Sequence, residues 1–331
     1  MSRSLDPYQD SMSPDRTVTY VLPVHDEAPN VAAFHRALVA ATEERPDLRF
    51  EFVYVDDGSR DDSLRRLLEL RHADPRVTVL ALSRNFGHQV AVTAGLDAAT
   101  GADAVIVMDT DLQDPPRVSM ELVRVCEKGV DVVYAQRRTR QDGLFKRATA
   151  YLFYWLLARL ASIDIPRNVG DFRLLDARVV AEVVRYREHD RFLRGIVAHV
   201  GFRQEAVLFD RDARHAGTTG YPLRRMLAFA TSGILGFSTL PLRLISRLGV
   251  AISAVSVVGA GYVAWVRLFV PEQAVPGWAF LGVGMFLLSG LQLIMMGVIG
   301  GYLGRVYVEA QDRPLYSLAL TARGESADGG C

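Results

Sequence analysis

Residues 104–116 read AVIVMDTDLQDPP, and the meaning of the whole chain turns on them. Ala104 to Met108 are apolar without interruption, as in a strand covered on both faces of a parallel sheet. Asp109, Thr110, Asp111, Leu112, Gln113 and Asp114 follow at once, then two prolines. An acidic cluster placed there sits at the carboxyl end of a strand, where open α/β sheets bind ligands. In extended chain Asp109, Asp111 and Gln113 point the same way. Two carboxylates and an amide oxygen make a hard, oxygen-only donor set suited to Mg²⁺ or Mn²⁺ shared with nucleotide phosphates. Taken alone, the same residues are better described as a solvated loop with an Asp N-cap before a helix beginning near Pro115.

The neighbouring segments supply context. Residues 17–24 (TVTYVLPV) predict a strand ending in Pro23, Val24, His25, Asp26 and Glu27, with a helix from about 29 to 44. The GxGxxG turn of a dinucleotide-binding dehydrogenase is missing here. Residues 50–55 predict a second strand, ending in Asp56, Asp57, Gly58 and Ser59, and Asp61 can cap the next helix. Residues 77–82 predict a third, ending in Ser83, Arg84, Asn85, Phe86, Gly87 and His88, with a helix over 89–99. A helix over 117–128 and a fifth strand over 131–135 come after the opening stretch. Strands alternating with helices through short connections imply right-handed βαβ units, a mostly parallel sheet and helices on both faces. Polar residues at four successive strand ends then collect on one edge, the layout of a nucleotide site. Carboxylates there can accept from base N–H groups or ribose hydroxyls, and Arg84 can pair with a phosphate.

The chain has 331 residues and a formal net charge of +0, so nothing in its charge points to nucleic acid. Its 2 cysteines, Cys126 and Cys331, exclude a disulfide framework and a cysteine-based zinc site. Residues 1–16 are polar and predict a disordered tail. Hydropathy is concentrated late in the chain. Residues 248–270 are apolar except for Arg267, and residues 277–303 carry no charge. Each exceeds the ~20 residues that a helix needs to cross a bilayer, so together they predict a transmembrane hairpin. Arg224, Arg225, Arg243 and Arg247 precede it, Arg305 and Arg313 follow it, and the turn between holds Glu272 without Lys or Arg. The positive-inside rule puts both termini in the cytoplasm, at the plasma membrane. Residues 222–247 predict amphipathic juxtamembrane helices, and 304–331 a cytoplasmic tail. Overlapping GxxxG spacings among Gly297, Gly300, Gly301 and Gly304 suit close helix contact, within the hairpin or between copies in a homo-oligomer. The apolar run at 151–161 is too short to span.

The pattern resembles glycosyltransferase family 2, which has the GT-A fold. Residues 21–27 (VLPVHDE) are similar to the family's opening, 52–59 (FVYVDDGS) to its second-strand signature, and Asp109-Thr110-Asp111 to its DxD. Residues 82–87 (LSRNFG), 108–116, 164–174 (DIPRNVGDFRL), 191–195 (RFLRG) and 201–204 resemble the branch that transfers a sugar from a nucleotide to a polyprenyl phosphate. The resemblance implies a catalytic domain over 17–221 and assigns the metal and the donor diphosphate to Asp109, Asp111 and Gln113. It implies a nucleotide-sugar site bordered by Pro23, Asp26, Glu27, Asp57 and Arg84, with Asp171 facing the reacting sugar or acceptor. Two departures stand out. His25-Asp26 replaces the usual Tyr-Asn, and Gly220 stands where the family carries a Lys near the acceptor. Arg137 and Arg138, with Arg140, Lys146 and Arg147, and the pair Arg211 and Arg214, are candidates for clamping the acceptor phosphate or the anionic bilayer surface. As solvated loop charges they would need no such role. UDP-glucose is the first expectation for the donor and GDP-mannose the second. A processive polysaccharide synthase would carry a QxxRW motif and more spanning helices. A binding protein without turnover would be expected to have lost part of the DxD set.

Overall fold

The computed structural model describes residues 16–138, 169–210, 240–269 and 277–323. Two compact units divide them. One comprises Met1–Trp155, Ile163–Pro222 and Pro314–Cys331, the other Leu156–Ser162 and Leu223–Arg313.

The first unit is built on an eight-stranded sheet among the described residues. In chain order its strands are β1 (Thr17–Val24), β2 (Arg49–Asp56), β3 (Val77–Leu82), β4 (Ala104–Val107), β5 (Val132–Arg137), β6 (Val169–Asp176), β7 (Gln204–Phe209) and β8 (Leu318–Ala322). They lie side by side as β7-β5-β6-β4-β1-β2-β3-β8. The helices are α1 (Ala28–Thr42), α2 (Ser63–Ala73), α3 (His88–Ala98), α4 (Val118–Cys126), α5 (Ala177–Val183) and α6 (Leu193–Val200). β4 is buried along its whole length, as an uninterrupted apolar strand must be. Tyr20, Leu22, Phe52, Tyr54 and Ile106 pack with Phe34 and Leu38 of α1, Leu67 of α2 and Met120 of α4 on one face. Val21, Val105, Val107 and Leu175 pack with Val92 and Leu96 of α3 and with α5 and α6 on the other. The side chains alternate between the two faces along each strand, as the period of two requires.

The sheet is mixed rather than mostly parallel. β1 runs parallel to β2 and β4, β2 to β3, and β5 to β7. β6 lies antiparallel between β4 and β5, and β8 antiparallel on the far side of β3. Neither strand stands out in the sequence. β6 reads VGDFRLLD, with an Asp and an Arg inside it. β8 comes from the segment expected as a cytoplasmic tail. It is fastened there by the Ser83 N–H donating to the Ser317 carbonyl (2.9 Å) and the Tyr316 hydroxyl donating to Asp97 (2.8 Å).

In the second unit, α7 (Leu240–Phe269) and α8 (Trp278–Ala310) are single helices of 30 and 33 residues, about 45 and 50 Å long. The helical part thus begins before the expected boundary at 248 and continues past 303. Among the described residues, one stretch is long and apolar enough to cross a membrane, Leu288–Ala310 of α8. Large apolar side chains such as Val255, Trp265, Leu293 and Met296 are exposed on both helices.

Candidate active site

Because β6 runs opposite to β4, the amino end of β6 meets the carboxyl ends of the parallel strands. Val107 pairs with Arg173; two residues further in that register, Asp109 comes level with Asp171. The β1, β2, β3 and β4 ends deliver Asp26 and Glu27, Asp57, Arg84, and Asp109 to the same edge.

Three loops are tied together there by their own polar groups. The Asp57 carboxylate, buried, accepts from the backbone N–H of Phe86 (2.7 Å) and of Gly87 (3.0 Å). It thereby holds the turn into α3. Gly58 makes that closeness feasible. It has φ +63°, and a Cβ there would fall 2.4 Å from the Arg84 carbonyl carbon. His25 Nδ1 lies 3.0 Å from the Asp57 carbonyl oxygen, and the Asn85 amide nitrogen 3.1 Å from His25 Nε2. Asp26 sits at φ +55° and accepts from the Arg60 N–H (2.7 Å). Glu27 accepts from the Asn30 side chain. Asp61 caps two elements at once, accepting from Ala28 N–H at the start of α1 (3.1 Å) and from Ser63 N–H of α2 (2.9 Å). The Pro23 carbonyl accepts from the Thr110 hydroxyl, which ties the β1 end to the β4 loop. Arg84 does not reach out. Its guanidinium lies over the Phe86 ring at 3.8 Å and donates to the Asn85 carbonyl.

The segment after β4 departs from the extended geometry that the Asp109–Asp111–Gln113 alternation implied. Leu112 has φ +59°, a left-handed turn, and the Gln113 N–H bends back to donate to Asp111 Oδ1 (3.0 Å). Gln113 is 6 % exposed, whereas Asp109 and Asp111 are partly open to solvent. The three side chains therefore do not share one exposed face. Burial, together with the neighbouring Asp171, Asp114 and Asp111 carboxylates and against the pull of His88, pushes the Asp109 pKa up to about 6.

Asp171 is the hub of the opposite wall. Its side chain is 12 % exposed. It accepts from Arg194 Nε (2.8 Å) and Nη2 (3.3 Å), His88 Nε2 (3.1 Å) and Gln89 Nε2 (3.3 Å), and Arg173 Nη2 lies 3.8 Å away. Burial alone would raise its pKa, but the His88 hydrogen bond and the Arg194 charge hold it far below the carboxylate range. These partners hold Asp171 in its ionised form. The Gln89 carbonyl oxygen accepts from Leu193 N–H at the start of α6 (3.0 Å), so one amide joins α3, β6 and α6. His88 Nε2 also lies 3.7 Å from Asp109 Oδ1.

His88, Gln89 and Arg194 were not among the residues singled out from sequence. His88 closes the third strand-end segment, and that position was the signal available. Arg138 is exposed at the end of β5, its Nη1 3.9 Å from Asp210. Arg137 ends β5. Arg211 and Arg214 lie outside the described residues, as do the 1–15 segment, Arg140, Lys146 and Arg147, the 151–161 run, 211–239 with Gly220, and the 270–276 turn.

The site's donor chemistry fits a divalent cation. Asp109 and Asp111 present hard oxygens where four carboxylates crowd together. Among the described residues no group of three His, Cys, Asp or Glu side chains is arranged to enclose a metal ion. A cation held by two carboxylates leaves coordination positions for substrate phosphate and water, the usual manner of Mg²⁺.

Residues 19–184 match the model of glycosyl transferase family 2. The chain is 43 % identical over 297 residues to the uncharacterized glycosyltransferase YkcC of Bacillus subtilis (strain 168), covering 89 % of this chain and 91 % of that one. It is 38 % identical over 302 residues to the prophage bactoprenol glucosyl transferase homolog of Escherichia coli (strain K12), covering 90 % and 97 %. Among solved structures, mannosyl-3-phosphoglycerate synthase from Rubrobacter xylanophilus aligns with a TM-score of 0.45 at 18 % identity over 71 % of this chain and 75 % of that one. With carboxylates gathered on one edge of an α/β sheet and similarity along nearly the whole chain, the protein belongs to glycosyl transferase family 2.

Proposed function

We propose that the protein is a membrane-bound inverting hexosyltransferase. It moves a sugar from a nucleotide-sugar, UDP-glucose first and GDP-mannose second, to a polyprenyl phosphate and yields a lipid-linked monosaccharide. The observation that carries the reading is similarity over nine-tenths of the chain to proteins named bactoprenol glucosyl transferase. Supporting it are the carboxylates of Asp109 and Asp111 at the strand ends and the apolar stretch Leu288–Ala310. A second crossing by α7, completing a hairpin with both termini cytoplasmic, is supported by its length and its exposed apolar side chains. A homo-oligomer is supported only by the glycine spacings of α8.

In this reading the acceptor's phosphate oxygen attacks the anomeric carbon. The carbon–oxygen bond to the diphosphate breaks, and the nucleoside diphosphate leaves with the bonding electrons. A phosphomonoester has its second pKa near ~6, so the nucleophile is largely ionised at neutral pH and needs no strong base. That agrees with a site in which Asp171, the carboxylate level with Asp109, is locked in ion pairs. Asp109 and Asp111 would hold Mg²⁺ or Mn²⁺, which when bound neutralises charge on the departing diphosphate. Gln113, being buried, would act on the loop's shape rather than as an open ligand. Asp26, Glu27, Asp57 and Pro23 fix the loops that border the nucleotide. Arg84 must leave the Phe86 ring to reach a phosphate. Arg137, Arg138, Arg211 and Arg214 are the candidates for offsetting repulsion at the acceptor. Anchoring the chain in the bilayer raises the effective concentration of a lipid acceptor.

The test is a transfer assay with full-length protein in detergent, undecaprenyl phosphate, Mg²⁺ or Mn²⁺, and radiolabelled UDP- and GDP-sugars. Metal-dependent label entering the organic phase from one donor supports the reading and names the sugar. Nucleotide-sugar binding without labelled lipid for any donor refutes the acceptor assignment and makes the Gly220 position its first suspect.

A further inference from the structure

The loop between β3 and α3 is held from two directions. On one flank the Asp57 carboxylate accepts the Phe86 and Gly87 N–H groups, and the Asn85 amide lies against His25. The other flank is held by residues that follow α8 in the chain but belong to the same compact unit as the sheet. The Ser83 N–H donates to the Ser317 carbonyl (2.9 Å), and Leu82 pairs with Leu318. The ring of Tyr316, half-buried, packs on the small cluster of Leu82, Ala91 and Ala94, as does Phe86, over which the Arg84 guanidinium is stacked. The Tyr316 hydroxyl donates to Asp97 Oδ2 (2.8 Å), which also accepts from Arg187 Nη1 (2.7 Å). Hydrogen bonds to a carboxylate are stronger than those between neutral groups. Asp97 stands in the last turn of α3, the helix whose first residues, His88 and Gln89, hold Asp171. Arg71 of α2 donates to the Arg323 carbonyl (3.0 Å) and fastens the other end of the segment.

We propose that Tyr316 is a positioning residue for the donor half of the site, which sets the 83–87 loop, and with it Arg84, for a phosphate of the nucleotide-sugar. The inference rests on the reading of this edge as a nucleotide-sugar site. Tyr316 acts through Phe86 and α3. Loosening residues 316–317 takes the acceptor from the Ser83 N–H and frees the Phe86 ring to shift on its cluster, and the guanidinium resting on that ring shifts with it. Coupling of this kind is reciprocal. A segment that favours the loop arrangement able to bind nucleotide is itself held in place by nucleotide, to the same extent. A packing role that ends at stability makes no such demand.

Full-length protein in detergent with Mg²⁺ is titrated calorimetrically with UDP and with GDP, and hydrogen exchange is then followed with and without a saturating amount of the nucleotide that binds. The amides of Leu318–Ala322 are expected to exchange about fivefold more slowly with nucleotide present, while those of β7, the strand on the opposite side of the sheet, stay within about twofold. Tyr316→Ala, titrated well below its unfolding midpoint, is expected to bind the nucleotide about fivefold more weakly. Tyr316→Phe keeps the ring, loses only the bond to Asp97 and falls between. Equal slowing in β7 and β8 marks general stabilisation by ligand and overturns the proposal. So does β8 exchange that is indifferent to nucleotide, or a folded Tyr316→Ala with wild-type affinity. Should Tyr316→Ala not fold, Tyr316→Phe is titrated in its place; binding at least about twofold weaker is expected, and unchanged affinity overturns the proposal. Wild-type protein that binds neither nucleotide refutes the reading of the site itself, and the inference falls with it.

Discussion

Replacing Asp171 with Asn keeps the size of the side chain and removes its charge, leaving Arg194, Arg173 and His88 facing an amide. The carboxylate is 12 % exposed and accepts from three different side chains, so little water is available to compensate. Breaking a buried ion pair by removing one partner costs about 3–5 kcal/mol. Arg194 is 30 % exposed and can partly recover hydration, which favours the lower end, about 3 kcal/mol. For a unit of this size that lowers the midpoint of thermal unfolding by roughly 6–12 °C. The pH dependence has a definite sign. The folded-state pKa of Asp171 is depressed, so its contribution is present above the unfolded-state pKa near ~4 and is lost only as pH falls through the depressed value. Between pH 5 and about 8 the gap between wild type and Asp171→Asn is therefore largest at the acid end, where His88 is charged as well, and narrows as pH rises through the His88 pKa that Asp171 helps to raise. Thermal unfolding of full-length protein in detergent and chelator, across that range, measures it. Arg194→Gln and the double variant complete a cycle, in which a coupling of about 2 kcal/mol is expected. A midpoint within about 1 °C of wild type, or a coupling below about 0.5 kcal/mol, would refute the account of Asp171 as the anchor of this wall.

Other perturbations have equally definite outcomes. Asp109→Asn is expected to lower transfer at least about a hundredfold. In chelator at neutral pH it should stabilise the fold by about 1 kcal/mol, after discounting for its partial exposure, because the raised pKa near 6 means that ionising Asp109 opposes folding as pH rises through that value. Adding Mg²⁺ should raise the unfolding midpoint of wild type and leave that of the variant where it was. Gly58→Ala places a methyl 2.4 Å from the Arg84 carbonyl carbon at a left-handed φ, and denaturant unfolding should register a loss of about 2 kcal/mol or more, with weakened nucleotide binding. His35 is buried between Tyr54 (Nδ1 to hydroxyl, 3.0 Å) and Asp74 (Nε2 to Oδ2, 3.5 Å), with Arg76 bound to Asp74. Burial lowers its pKa, so stability falls as pH drops below about 6.5, and His35→Gln should flatten that slope in melts between pH 7 and pH 5.

Much of this architecture is legible in the order of residues because burial writes itself plainly there. Uninterrupted apolar strands followed by Asp56–Asp57 or Asp109–Asp111 announce both the layered sheet and the edge where polar groups collect. β6 escapes because its Asp and Arg look soluble, yet Asp171 is enclosed by partners from α3 and α6 and the buried Arg173 turns to Gly170 and Asp171 of its own strand. β8 escapes because LALTA is only five residues long and its partner β3 lies more than two hundred residues earlier, so nothing local shows what it pairs with. The bend at Leu112 has no signature either, since a left-handed φ is ordinarily advertised by Gly or Asn. His88 and Arg194 converge on Asp171 across 83 and 23 residues, a meeting set by strand register that no local pattern encodes.

The return of the chain in β8 has a consequence for biosynthesis. β3 is next to last in the finished sheet by position but among the earliest strands by synthesis, and its outer partner emerges only after α7 and α8. Until then the backbone groups along the free side of Val79–Leu82 have no ladder to join. The helical segment is thus a long insertion between two strands of one sheet rather than an appendage at its end. A ribosome-bound chain must carry an incomplete sheet through the whole time needed to make the helices, and a soluble fragment cut before α7 inherits the same raw edge permanently. Grafting residues 314–323 back through a short flexible linker is the way to close it.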